Sequence, residues 1–100
     1  MKVTLQYFNG CPNWKETEAH LETLKAEGVD VELDRQLIET PEAAERFGFR
    51  GSPTVIIDGI DPFTDPDAPV GLSCRVYAAE DGYAGSPSLE QLRAALLGAN

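Results

Sequence analysis

The sequence predicts a single α/β domain over residues 1–100, with elements in the order β-α-β-α-β-β-α. They would form a four-stranded mixed sheet with helices on both faces. Three observations carry this expectation. Short segments alternate apolar and polar side chains with the period of two that marks half-buried strands. Between them run segments whose apolar residues recur at helical spacing, several bounded by proline or glycine. The alternation of the two kinds at the start of the chain implies a parallel strand pair joined by a right-handed crossover.

In order, Val3, Leu5 and Tyr7 alternate with Lys2, Thr4 and Gln6, a first strand that Asn9-Gly10 breaks. Pro12 suits the first turn of a helix over 12–27, because its missing N–H has no partner there in any case. Trp14, Thr17, Leu21 and Leu24 share one face of that helix, and Gly28 stops it. Val29, Val31 and Leu33 alternate with acidic residues and predict a second strand over 29–34. Thr40 caps a short helix with Pro41 at its first position, Ala44 and Phe47 facing inward, and Gly48 at its end. Thr54–Ile57 is apolar and β-branched, a third and well-buried strand. Residues 58–71, rich in proline and aspartate, form a loop. Residues 72–77, LSCRVY, read as a fourth strand pairing back on the third, and 80–86 as a turn region. Leu89, Leu92 and Leu96 define a last helix over 87–97 that Gly98 closes; its cap is Ser86 or Ser88, and Ser88 with Gln91 fits a capping box.

Seventeen acidic residues against eight basic ones give a net charge of −9. No basic face is present to bind nucleic acid or an anionic membrane. No apolar run is long enough for a signal peptide or a membrane span. The chain is therefore expected in a cytoplasmic, reducing compartment, with its two cysteines as free thiols. Nothing in the sequence specifies an oligomer.

The segment FNGCPNW, residues 8–14, places Cys11 between a strand and a helix, and GSPT, residues 51–54, precedes the third strand. Together with the element order, these two signatures resemble the thioredoxin superfamily over nearly the whole chain. The resemblance matches Cys11 to the nucleophilic cysteine and Pro53 to a cis-proline beside it. It implies that the backbone around Ser52, Pro53 and Thr54 presents hydrogen-bonding groups to a thiol or an extended peptide. The chain departs from the dithiol pattern at position 14, where Trp14 stands in place of a second cysteine. The motif is a Cys-x-x-Trp monothiol.

A thiol at a helix N-terminus is held toward its thiolate by the helix dipole and the unpaired N–H groups. Lys15 and Arg50 would act in the same direction if they approach it. The alternative is that Cys11 is only a small residue at a tight turn. Trp14 either fills the core or walls a groove beside the thiol. The Ser52–Pro53 bond is cis by the resemblance, or an ordinary trans bond opening a strand. Cys74 is the candidate second thiol. With 54–58 paired antiparallel to 73–77, it stands opposite Ile57, ~10 Å from the strand end that Pro53 marks. A disulfide needs Cα atoms within about 7 Å, so this register keeps the two cysteines apart. His20, more than two turns from Cys11, reads as a surface residue. Asp58, Asp61, Asp65 and Asp67 lack the glycine and closing glutamate of a calcium loop, and no cysteine and histidine spacing builds a metal site.

Two functions follow as expectations. The first is a monothiol thiol–disulfide redox protein. Its Cys11 forms a mixed disulfide or sulfenic acid, resolved by an external thiol such as glutathione or another low-molecular-weight thiol. Its substrates would be thiols or disulfides, on small molecules or proteins, and it would need no resident cofactor or metal. The second is a non-catalytic binding or sensing module in which Cys11 is incidental or holds a ligand.

Overall fold

The alternating segment at the start of the chain forms β1 (Lys2–Tyr7), with Val3 and Leu5 fully buried. In this computed structural model, which describes residues 1–64, 67–80 and 82–98, α1 (Trp14–Ala26), β2 (Glu32–Leu37), α2 (Pro41–Phe47) and β3 (Thr54–Ile57) follow. A short hairpin, β4 (Tyr77–Ala79) and β5 (Gly82–Ala84), precedes α3 (Leu89–Leu97).

β1 is the central strand. It pairs parallel with β2, Lys2 against Glu32 through Tyr7 against Leu37, and antiparallel with β3, Val3 against Ile57 and Leu5 against Val55. Directly opposed residues share a face of the sheet, so Val3, Leu5, Val55 and Ile57 form one apolar surface. Trp14, Leu21 and Leu24 of α1 and Leu92 and Leu96 of α3 pack against it. A second small cluster, Ile38, Ala44 and Phe49, lies under α2. The opposite face of the sheet carries Gln6 beside Gln36, whose side chains hydrogen-bond at 2.8 Å, and Thr54.

The helices end where the sequence places stops and caps. The Thr40 hydroxyl accepts from the Ala43 N–H, Pro41 opens α2, and Gly48 closes it in the left-handed conformation at φ +63°. The Ser88–Gln91 capping box is complete. α1 begins at Trp14, with Pro12 and Asn13 in the turn that leads into it.

The expected four-stranded mixed sheet with helices on both faces is overturned. Among the described residues, the main sheet has three strands in the order β2-β1-β3, and β4 and β5 form a separate two-stranded sheet. Residues 72–76 do not pair with β3 as a strand, because burial in that segment runs opposite to its apolar pattern. Arg75 and Tyr77 are buried, whereas Cys74 and Val76 are exposed. The reason is electrostatic. The Arg75 guanidinium meets the Asp61 carboxylate at 2.7 Å and also donates to the Phe63 carbonyl and, at 3.2 Å, to the Thr54 hydroxyl. A buried cation needs such partners, and they hold this side of the segment inward. The turn region expected at 80–86 contains β5.

Two smaller corrections follow from packing. β2 lies three residues later than expected, at Glu32–Leu37, because its register with β1 starts at Lys2 and Glu32. Phe47 is exposed, and Phe49 takes the inward position beyond the glycine. The reading of 58–71 as loop falls outside the described residues at 65 and 66, and with it Asp65. The turn at Asp58–Gly59 sends the chain back so that Ile60 bridges Ile57. Among the described residues, no helix is long and apolar enough to cross a membrane.

Candidate functional site

Three pieces of chain meet where β1 ends. The Phe8 backbone links two of them. Its N–H donates to the Ser52 hydroxyl at 3.0 Å, and its carbonyl accepts from the Cys11 N–H at 3.0 Å. Ser52 links the third. Its N–H donates to the Ser73 carbonyl at 2.8 Å, and its carbonyl accepts from the Arg75 N–H at 3.0 Å. These two bonds flank Cys74 and form an isolated parallel bridge between residues 52 and 74.

Cys74 thus stands beside Ser52 and not opposite Ile57. Its Cα lies 5.6 Å from that of Cys11, and the two cysteines form a disulfide. This corrects two expectations, that the strand register keeps Cys74 away from Cys11 and that both cysteines are free thiols. The error lies in the pairing. An antiparallel hairpin would have carried Cys74 along β3, whereas residues 73–75 lie parallel beside residue 52, just before β3, and Cys74 bridges it.

Around the disulfide the side chains are asymmetric. Cys11 is 1 % exposed, whereas Cys74 lies at the surface. The Asn13 side-chain amide donates to Cys11 Sγ at 3.8 Å. Gly85 packs so closely on that amide that a Cβ there would lie 2.2 Å from Asn13 Nδ2. The Ser52–Pro53 bond is cis. Tyr77, from the start of β4, donates its hydroxyl to the Pro53 carbonyl. Burial pushes the Tyr77 hydroxyl well above the usual tyrosine range, against the opposing pull of the Arg75 charge. Thr54 Oγ1 donates to the Gly51 carbonyl at 2.7 Å. Gly51 itself has φ +123°, and a Cβ on it would lie 2.9 Å from Arg75 Cβ. The chain segments at 51 and 75 touch because residue 51 has no side chain.

The remaining sequence-predicted residues separate. Pro12 is exposed in the turn, and its carbonyl accepts from the Lys15 N–H at 3.1 Å. Trp14 is a core residue at 9 % exposure, its ring 4.5 Å from that of Tyr7. The Lys15 ammonium lies 5.9 Å from the Trp14 ring centroid, and the Arg35 guanidinium 5.7 Å from it. Arg50 donates to the Ala68 carbonyl and lines a cleft of about 170 Å³ on the polar face of the sheet, with Gln6, Thr54, Asp61 and Arg75. His20 is half-buried, and its Nδ1 is shielded without a hydrogen-bond partner among the described residues. Among the described residues, no group of three or more histidine, cysteine, aspartate or glutamate side chains converges.

Sequence reasoning did not single out Phe8, Asn13, Arg75 or Tyr77, and it weighed Asp61 only as a calcium ligand. Asn13 carried a local signal, a polar side chain two residues after a cysteine in a helix-entry turn. The other four act through partners distant in sequence. Compared with protein-family models, with curated proteins and with solved structures, the chain matches none.

Proposed function

We propose that this chain is a thiol–disulfide redox protein whose working couple is Cys11 and Cys74. The observation that carries the reading is the convergence at one point of the helix-entry turn, the cis-proline loop and the second cysteine. The resemblance of FNGCPNW and GSPT to the thioredoxin superfamily supports it independently. The monothiol scheme is revised in one respect. With Cys74 at 5.6 Å from Cys11 between Cα atoms, the second thiol is internal, and an adduct formed by attack on a substrate disulfide is resolved without an external thiol. The external partner is then a substrate disulfide or a reducing thiol. Glutathione or another low-molecular-weight thiol fits that role, and so does a cysteine of another protein. The cytoplasm, where thiols are regenerated, is the compartment that suits such a cycle.

The test begins with reduced protein and glutathione disulfide. Each chain should take up no lasting adduct, form the Cys11–Cys74 bond and release two molecules of glutathione. Dithiothreitol should reverse this without unfolding the chain. A disulfide that resists a large excess of dithiothreitol while the fold persists defeats the proposal and makes the bond a structural staple.

A further inference from the structure

The two sulfurs of the couple do not have equal access. An exchange step is an in-line displacement. The incoming thiolate approaches one sulfur from the side away from its partner, and the partner departs with the electron pair. Cys11 is 1 % exposed, so an incoming thiolate has no open approach to it. Cys74 lies at the surface on a segment whose next side chain but one, Val76, is 66 % exposed. We infer that Cys74, and not the motif cysteine Cys11, is the sulfur that exchanges with external thiols and disulfides, and that Cys11 is the internal leaving and resolving thiol. This rests on the redox reading above.

The surroundings of each sulfur suit these roles. Cys11 precedes the first turn of α1, whose dipole favours negative charge there, and the Asn13 amide already points at its sulfur from 3.8 Å. A negative charge left on Cys11 therefore meets that donor without a rearrangement. Cys74 is held from both sides by backbone bonds to Ser52. It stays within reach of Cys11 after the bond between them breaks.

The cycle balances as follows. An external thiolate attacks Cys74 Sγ, the Cys11–Cys74 bond breaks, and Cys11 leaves as a thiolate. A second external thiolate then attacks the external sulfur, releasing a disulfide and the Cys74 thiolate. The chain has gained two electrons and the thiols have lost them. In the other direction, the Cys74 thiolate attacks a substrate disulfide and expels one thiolate. Cys11 then attacks Cys74 Sγ, expels the second and restores the internal bond.

The decisive experiment traps the first intermediate in the wild-type chain. Oxidised protein is mixed with glutathione and quenched at once with N-ethylmaleimide, and the modified peptides are mapped by mass spectrometry. Glutathione on Cys74 with maleimide on Cys11 is the expected pattern, and the reverse pattern overturns the assignment while leaving the redox reading intact. In a second measurement, single-cysteine variants react with glutathione disulfide. Access sets these rates, so Cys11→Ser should form its adduct about tenfold or more faster than Cys74→Ser, and equal or inverted rates overturn the inference. If the wild-type disulfide yields neither adduct nor free thiol under any thiol concentration, the redox reading itself fails and the assignment with it.

Discussion

Reducing the Cys11–Cys74 bond should lower the stability of the fold by an amount that the chain geometry sets. The two cysteines are 63 positions apart. Closing a loop of that length removes about 4 kcal/mol of conformational entropy from the unfolded chain. The full figure is reached only if the folded chain loses little freedom when the bond forms. The backbone bonds from Ser52 to residues 73 and 75, at 2.8 and 3.0 Å, are expected to keep Cys74 in place in either state. Urea unfolding of oxidised and reduced protein measures the difference directly. For a domain of this size it corresponds to a shift in melting temperature of roughly 15–30 °C. The same 4 kcal/mol must appear in a thermodynamic cycle. The internal disulfide should be about a thousandfold harder to reduce in the folded chain than in the unfolded one, or about 90 mV in potential. Both sides can be measured against glutathione buffers, with and without urea. A stability difference below about 1 kcal/mol, with both forms folded, refutes the idea that the fold holds reduced Cys74 beside Cys11, since a loose segment returns the entropy in the native state.

Three further outcomes follow. Gly51→Ala places a Cβ 2.9 Å from Arg75 Cβ at a backbone φ of +123°; backbone strain and two weakened backbone bonds should together remove about 2–4 kcal/mol in chemical denaturation, and a variant within about 1 kcal/mol of wild type contradicts the close-approach argument. Arg75→Met removes one member of a pair whose arginine is nearly sealed off while Asp61 retains some solvent, so a loss of about 3 kcal/mol is expected; adding Asp61→Asn should restore part of it, and no restoration would mean that the pair is not what holds the segment inward. Above pH ~10 the unfolded chain releases the Tyr77 proton while the folded chain keeps it, so the unfolded state binds fewer protons and stability falls as pH rises toward the folded value, being fully present below pH ~10; a Tyr77→Phe variant should lose this part of the alkaline fall in urea unfolding, and a pH profile identical to wild type would exclude the buried position of Tyr77.

What the sequence made legible was local. β1, α1, α2, β3 and α3 are written in short-range periodicity and in caps such as Thr40, Gly48 and Ser88, each of which acts within a few residues. The misplacement of β2 has a different origin. The alternation Val29, Val31, Leu33 is real, but Val31 reaches the core from outside the strand, and the pairing with β1 decides where the ladder begins. The segment 72–77 shows the limit most clearly. Its alternation is strand-like, yet Asp61 turns Arg75 inward, and that ion pair spans fourteen residues of a loop with no pattern of its own. The candidate site was half visible. Cys11 and Pro53 are marked by their turns, whereas the place of Cys74 depends on the backbone of Ser52, a contact that no periodicity encodes. Trp14, three residues after Cys11, is a core residue, and the partner of Cys11 comes from another stretch of chain.

The bond between Cys11 and Cys74 also divides the chain mechanically. Pulled at its two ends, an oxidised molecule transmits force through the disulfide, and the stretch between the cysteines, with α1, β2, α2 and β3, bears no load. Such a molecule would reach an end-to-end length of at most about 130 Å, against about 350 Å for the reduced chain. Its redox state would therefore be readable as a length.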